Sequence, residues 1–242
     1  MRPSRKLGQS FLVEPRLAAE VARHASGCRR VLEPGAGLGV VTARLSDVAW
    51  HVEAVELDTR LLPALRELAD EHVNVDVVHG DILEYRPRRV ECVAGNPPYS
   101  ITGPLLSHIV VEIMPDRAVL TLQKEVAARL AARPGSKAYG RITVLVQAVY
   151  DVKLGGVYPP SAFYPPPDVY SQVVVLSARR RLDAVVLRRL EELTRCLFAQ
   201  RNRRASKVLR ECCGVDKAEY GDRRVYQLSP EEILAILEVC VP

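Results

Sequence analysis

No run of apolar residues in this 242-residue chain approaches the ~20 needed to cross a bilayer as a helix, so no membrane span is expected. The amino terminus, MRPSRKLGQSFL, is basic but has no apolar h-region, so no secretory leader is expected and the cytoplasm is the expected compartment. Cys28, Cys92, Cys196, Cys212, Cys213 and Cys240 form no CxxC pair and show no ligand spacing with the five histidines. That argues against zinc and against a secreted disulfide framework, leaving buried thiols as the expectation. There is no internal repeat and no low-complexity tract. Lysine is scarce, 6 residues against 28 arginines; with 17 prolines this usage hints at a hot environment.

What is present is a globular composition, 48% hydrophobic and 26% charged, and a length that allows one ordinary domain plus a smaller one. The net charge of +5 is unevenly spread. Residues 179–210 carry 11 basic and 3 acidic side chains and residues 1–6 add +3, which leaves −6 for the rest. Clustered Lys and Arg, including Arg201, Arg203, Arg204 and Lys207, are what a polyanion-binding surface needs, because affinity for phosphates grows with local rather than average charge.

Between about residues 14 and 122, short β-branched runs alternate with helical patterns. RRVLEP, WHVEAVEL, VNVDVVHGD, VECVAG and RAVLTLQ read as strands. Leu17, Val21 and Ala25 have helical spacing behind Pro15; GLGVVTARLS, DTRLLPALRELADEH (with a disturbance expected at Pro63) and GPLLSHIVVEI read as further helices. Strands joined by helical crossovers imply an α/β fold with a parallel sheet and ligands at the strands' carboxyl ends. An antiparallel strand near 172–177 is expected to end that sheet.

Each candidate motif lies at such an end. In LEPGAGLGVVT, Glu33 closes the first strand while Gly35, Gly37 and Gly39 turn into a helix, letting a ligand lie against the backbone near the helix amino terminus. Glu56 in VELD stands where a carboxylate accepts hydrogen bonds from ribose hydroxyls. These two features suit a nicotinamide cofactor and a sulfonium cofactor alike. In GDIL, Asp81 could accept an adenine amine while Ile82 packs on the ring, although Asp in such a place is often a turn residue.

The readings part at GNPPYSITGPL, residues 95–105. Hydride transfer has no use for Asn-Pro-Pro-Tyr, whereas methylation of a planar amine does. An adenine amine is a poor nucleophile because its lone pair is delocalised into the ring. The Asn96 side-chain oxygen and the Pro97 carbonyl, on a backbone stiffened by proline, would accept its hydrogens and stabilise the developing positive charge, while the Tyr99 ring stacks on the base. No strong general base is required, since the proton becomes acidic once the methyl is attached.

LGQSFL, LEPGAGLGVVT, VELD, GDIL, NPPYSITGPLL, LQKEVAARLAARPGSKAYGRITVLVQ and VYPPSAFYPPPDVYSQVVV, in that order, make the chain resemble the KsgA/Erm-type ribosomal RNA adenine-N6 dimethyltransferases. PGSKAYGRITV is closer to the KsgA branch, which acts on adjacent adenosines near the 3′ end of small-subunit rRNA. The resemblance implies a Rossmann-like S-adenosylmethionine-dependent core, a monomer without metal, and rRNA or a pre-30S particle as partner. It also implies cofactor contacts at Gln9, Ser10, Leu12, Gly35, Gly37, Glu56, Asp81, Ile82 and Asn96. Asn96, Pro97 and Tyr99 would then hold the target adenine, with Phe163 on its other face or else serving as a core aromatic. Pro97 departs from the family's usual leucine, a form also found in DNA amino-methyltransferases and protein glutamine methyltransferases. Ser10 stands where the family often has Asn.

After residue 178 the pattern becomes helical. Val186, Leu190, Leu193 and Leu197 make one stripe. Arg203, Lys207 and Arg210 share one helix face opposite Ala205, Val208, Leu209 and Cys212. Ser229, Pro230 and Glu232 spell a capping box. The expected division is a methyltransferase domain over 1–178 and a small basic, RNA-contacting helical domain over 179–242. Two other functions fit parts of the pattern: a DNA adenine-N6 methyltransferase, favoured by Pro97, and an assembly factor that keeps the fold without catalysis, disfavoured by the intact motifs.

Overall fold

The computed structural model describes residues 3–4, 7–214, 220 and 222–240; Arg2, Arg5 and Lys6, which make the amino terminus basic, lie outside them. The chain divides into two compact units, one of residues 1–127 and 152–178, the other of 128–151 and 179–242.

The first unit opens with β1 (Phe11–Leu12) and α1 (Pro15–Ala25). Pro15 occupies the first turn of α1 and Leu17, Ala18, Val21, Ala22 and Ala25 form its buried stripe. Then come β2 (Arg30–Pro34), α2 (Val40–Ser46), β3 (His51–Glu56), α3 (Leu62–Glu71), β4 (Val75–His79), β5 (Cys92–Gly95), α4 (Thr102–His108) and β6 (Arg117–Gln123). Pro63 lies in the first turn of α3 and so starts the helix rather than disturbing it, because a first-turn amide has no intrahelical partner to lose. The strands β2, β3, β5 and β6 are buried along nearly their whole length, as strands of a parallel sheet are.

Two helices, α5 (Lys124–Leu130) and α6 (Arg141–Gln147), precede β7 (Tyr150–Tyr158), β8 (Phe163–Tyr164) and β9 (Ser171–Ala178). The main sheet runs β4-β3-β2-β5-β6-β9-β7. β4, β3, β2, β5 and β6 are parallel, and β9 is antiparallel to β6 over Arg117↔Ser177 to Gln123↔Ser171. The expected antiparallel strand is therefore β9, but β7 lies outside it. Glu20 on α1 binds this added strand, accepting from the Gly156 amide at 2.8 Å and the Tyr158 hydroxyl at 2.6 Å. Strand order reverses at the β2–β5 pair, the place where an open α/β sheet has its ligand crevice.

The second unit holds α7 (Ala184–Ala199), α8 (Ala205–Cys213) and α9 (Pro230–Val239). α6 packs against α7 and α9, which is why residues 128–151 group with this unit rather than with the remainder of 1–178. On α7, Leu187, Leu190, Leu193 and Leu197 are buried. On α8, Ala205, Val208 and Leu209 are buried while Lys207 and Arg210 are exposed; Arg203, expected on the same helix face, lies in the exposed turn before the helix. The capping box at α9 forms as expected: Ser229 Oγ accepts from the Glu232 amide and Glu232 from the Ser229 amide.

The cysteines correct the sequence reading. Cys196 is bridged to Cys212 and Cys213 to Cys240, tying α7 to α8 and α8 to the end of α9; only Cys28 and Cys92 remain buried thiols among the described residues. Sequence spacing missed the pairs because helix packing creates them, bringing Cα atoms to 6.0 and 5.0 Å. Among the described residues there is no helix long and apolar enough to cross a membrane and no group of three metal-binding side chains.

Candidate active site

A cleft of about 190 Å³ opens at the carboxyl ends of β2, β3 and β5. Gln9, Ser10, Leu12, Gly35, Gly37, Glu56, Asp81, Ile82 and Asn96 all line it, though they come from five separate stretches of sequence. Every cofactor contact that the family resemblance implies thus faces one space.

Its floor is the turn between β2 and α2. Gly35 and Gly37 have φ of +68° and +63°, a region costly for other residues. A Cβ at Gly35 would come within 2.8 Å of Pro98 Cδ, so only glycine lets this turn pack against the loop after β5. The Gly35 and Ala36 amides donate to the Val55 carbonyl at 2.9 and 3.1 Å, binding the turn to β3.

The Glu56 carboxylate, only 6% exposed, draws the neighbouring turns together. One oxygen accepts from the Gly37 amide and the other from the Asp58 amide, both at 2.8 Å. Each oxygen retains a lone pair for a ligand hydroxyl. Behind the turn, the buried Glu33 accepts from Thr42 Oγ1 at 2.6 Å, and burial pushes its carboxyl up to about 8.

The wall over the cleft is the segment before β1. Gln9 has its side chain committed: Oε1 accepts from the Ser4 amide at 2.7 Å and Nε2 donates to Asp58 Oδ2 at 2.7 Å. Asp58 also receives Arg60 Nε and Nη2 at 2.9 and 2.6 Å, and these bonds hold its carboxyl far below the usual carboxylate range. Asp58, two residues past Glu56 in VELD, is thus the anchor for this wall; only its place in that motif could have signalled it. Ser10 Oγ donates to the Pro165 carbonyl at 2.8 Å. Asp81 Oδ1 accepts from the Leu83 amide at 2.9 Å, so this residue shapes its own turn while facing the cleft.

Asn96 follows β5. Its Nδ2 donates to the Ser10 carbonyl at 3.3 Å, an acceptor that only the amide nitrogen can serve, and this leaves Oδ1 buried with no hydrogen-bond partner among the described residues. A buried unpaired acceptor costs roughly 1–3 kcal/mol and asks for a donor that the protein itself does not supply. Tyr99, one residue after Pro98, turns its hydroxyl to Ser171 Oγ at 2.5 Å and is not part of the cleft wall. Burial raises its phenol above the ordinary value.

Phe163 is 3% exposed and belongs to the core, paired with Leu12 across the β1–β8 ladder. The exposed ring beside it is Tyr164, at 60%. In the second unit, Arg201 donates to the Lys137 carbonyl and lies 5.4 Å from the Tyr226 ring centre. Arg203 pairs with Glu211 at 3.1 Å and Arg204 with Asp222 at 3.2 Å, while Lys207 is exposed.

A model of the family described as ribosomal RNA adenine dimethylase matches residues 2–240. The chain is 40% identical over 238 residues to a probable ribosomal RNA small subunit methyltransferase A of Pyrobaculum aerophilum, covering 97% of each chain. It is 36% identical over 236 residues to ribosomal RNA small subunit methyltransferase A of Thermotoga petrophila, covering 96% of this chain and 89% of that one. Among solved structures, a dimethyladenosine transferase from Plasmodium falciparum matches with a TM-score of 0.78 at 22% identity over 93% of this chain and 95% of that one, a likeness of fold. The 23S rRNA methyltransferase ErmE matches with a TM-score of 0.69 at 27% identity over 95% and 99%.

Proposed function

Since the chain belongs to the ribosomal RNA adenine dimethylase family, we propose that it transfers methyl groups from S-adenosylmethionine to the N6 amines of adjacent adenosines near the 3′ end of small-subunit rRNA, during subunit assembly. The observation that supports this reading most is the Asn96 side-chain oxygen, buried and unpartnered at the edge of a cleft lined by all nine expected cofactor contacts.

The cleft suits the cofactor. Glu56 offers acceptors for ribose hydroxyls, Asp81 and Ile82 an acceptor and an apolar face for adenine, and Gly35 and Gly37 a backbone surface free of side chains. When bound, S-adenosylmethionine supplies an electrophilic methyl on a sulfonium. The protein's part is orientation and electrostatics. Asn96 Oδ1 and the Pro97 carbonyl accept the two amine hydrogens, which favours a pyramidal nitrogen and stabilises the positive charge that develops on it. Tyr99 supports the base by stacking. After one transfer the amine keeps a single hydrogen, so one acceptor is enough for the second. The RNA is held in part by the basic second unit, with Lys207, Arg201 and the carboxylate-paired Arg203 and Arg204 as contacts, and the protein acts as a monomer.

The test is incubation with S-adenosylmethionine and unmethylated small-subunit particles, followed by mass analysis of the RNA nucleosides. N6-dimethyladenosine at adjacent positions is expected. Transfer to duplex DNA instead, or no methylated adenosine at all, would overturn the reading.

A further inference from the structure

Tyr99 is held at both ends. Its backbone follows Pro97 and Pro98 and enters a short 3₁₀ turn, Tyr99–Ile101. Its hydroxyl meets Ser171 Oγ, 72 residues away in sequence and on the first residue of β9. Ser171 is completely buried and sits opposite Gln123 at the end of β6, the strand next to the one that delivers Asn96. Ser171 Oγ is therefore fixed by the sheet rather than by a loop.

The geometry has a specific consequence. A tyrosine hydroxyl lies on the axis about which its ring flips. A bond to it fixes where the ring axis points and leaves rotation about that axis free. A stacking plate needs the first of these properties, since swinging the ring about its Cα–Cβ bond would carry it off the base. We propose that Ser171 is a positioning residue for methyl transfer: it holds Tyr99 in the place where the target adenine stacks, and so aligns the amine with Asn96. The proposal rests on the methyltransferase reading of this site.

Tyr99→Phe and Ser171→Ala each remove the tether and keep a ring at position 99. Each is expected to lower kcat about tenfold, the worth of one hydrogen bond spent on alignment, with KM for S-adenosylmethionine unchanged. The double variant should lose no more than either single one, and Ser171→Thr, which keeps a hydroxyl on a residue suited to a strand, should recover most of the rate. Parental kcat in Tyr99→Phe overturns the proposal, as does a Ser171→Ala defect that persists undiminished in the Tyr99→Phe background. Parental kcat with a lowered melting temperature in Ser171→Ala overturns it too, leaving Ser171 a purely structural role. A Tyr99→Ala arm separates the two levels: loss of activity there with parental rates in Tyr99→Phe and Ser171→Ala removes only the tether, whereas parental activity in Tyr99→Ala removes Tyr99 from the site itself.

Discussion

At the end of β5 the Asn96 side-chain oxygen is buried with no partner among the described residues, whereas in the second unit Arg203, Arg204 and Arg223 are each paired with a carboxylate, on Glu211, Asp222 and Glu232. The first unit keeps a polar atom unsatisfied where chemistry is to occur and fixes it with strand ends, glycines and prolines. In the second, these three arginines are answered by carboxylates of the same unit and its helices are tied by disulfides. On the proposed function, one region is organised for a single substrate atom and the other helps to hold a long polyanion. Perturbing either should leave the other's property in place.

The largest separation should come from reduction. Opening the Cys196–Cys212 bridge, 16 residues apart, is expected to cost about 3 kcal/mol in the second unit by loop entropy alone, and Cys213–Cys240 a similar amount. Calorimetry with and without reductant should show that unit's transition move down while S-adenosylmethionine binding to the first is retained; a reductant-insensitive transition would show that the bridges carry no stability.

Asp58→Ala is next. It releases Gln9 and Arg60 together, so the wall over the cleft loosens and KM for S-adenosylmethionine should rise about tenfold, with a smaller change in kcat. Initial-rate measurements over a range of cofactor concentrations would check this, and an unchanged KM would show the wall to be held otherwise.

Glu33 gives a pH signature. Burial lifts its carboxyl from the ordinary 4.5 to about 8, so between those values the folded chain keeps a proton that the unfolded chain has released. Stability from this group accordingly falls as pH rises from about 4.5 to 8 and levels off above. In denaturant titrations across that range, Glu33→Gln should flatten the slope; an equal slope would assign it to other groups.

The smallest effect is expected on the basic face. Lys207→Glu should weaken RNA binding and reduce the slope of log affinity against log salt by about one, with methyl-transfer rate at saturating RNA preserved. Arg203→Glu should do less, because Glu211 already compensates Arg203. Equal effects from the two would mean that the Arg203–Glu211 pair opens on binding.

How legible these regions were in the sequence differs for physical reasons. The cleft residues lie directly after buried strands, where alternation of strand and helix, glycines and prolines mark both element and turn, so Gly35, Glu56, Asp81 and Asn96 could be placed by pattern. Short or exposed elements leave no such mark. β1 and β8 are two residues long, and β7 buries only Tyr150 and carries Gly155 and Gly156, so neither period nor hydrophobicity signals them. Tertiary pairings leave none either: Cys196 with Cys212, Tyr99 with Ser171 and Gln9 with Asp58 exist only once distant elements pack. The presence of disulfides does not make the chain a secreted one, since proteins of hyperthermophilic archaea hold them inside the cell.

Single-turnover methyl transfer by Asn96→Ala, with cofactor and RNA affinities measured in parallel, addresses the central claim most directly. Removing this buried acceptor at the end of β5 should slow transfer by about 10²–10³-fold while both affinities stay near those of the parent. Transfer at the parental rate would contradict the claim.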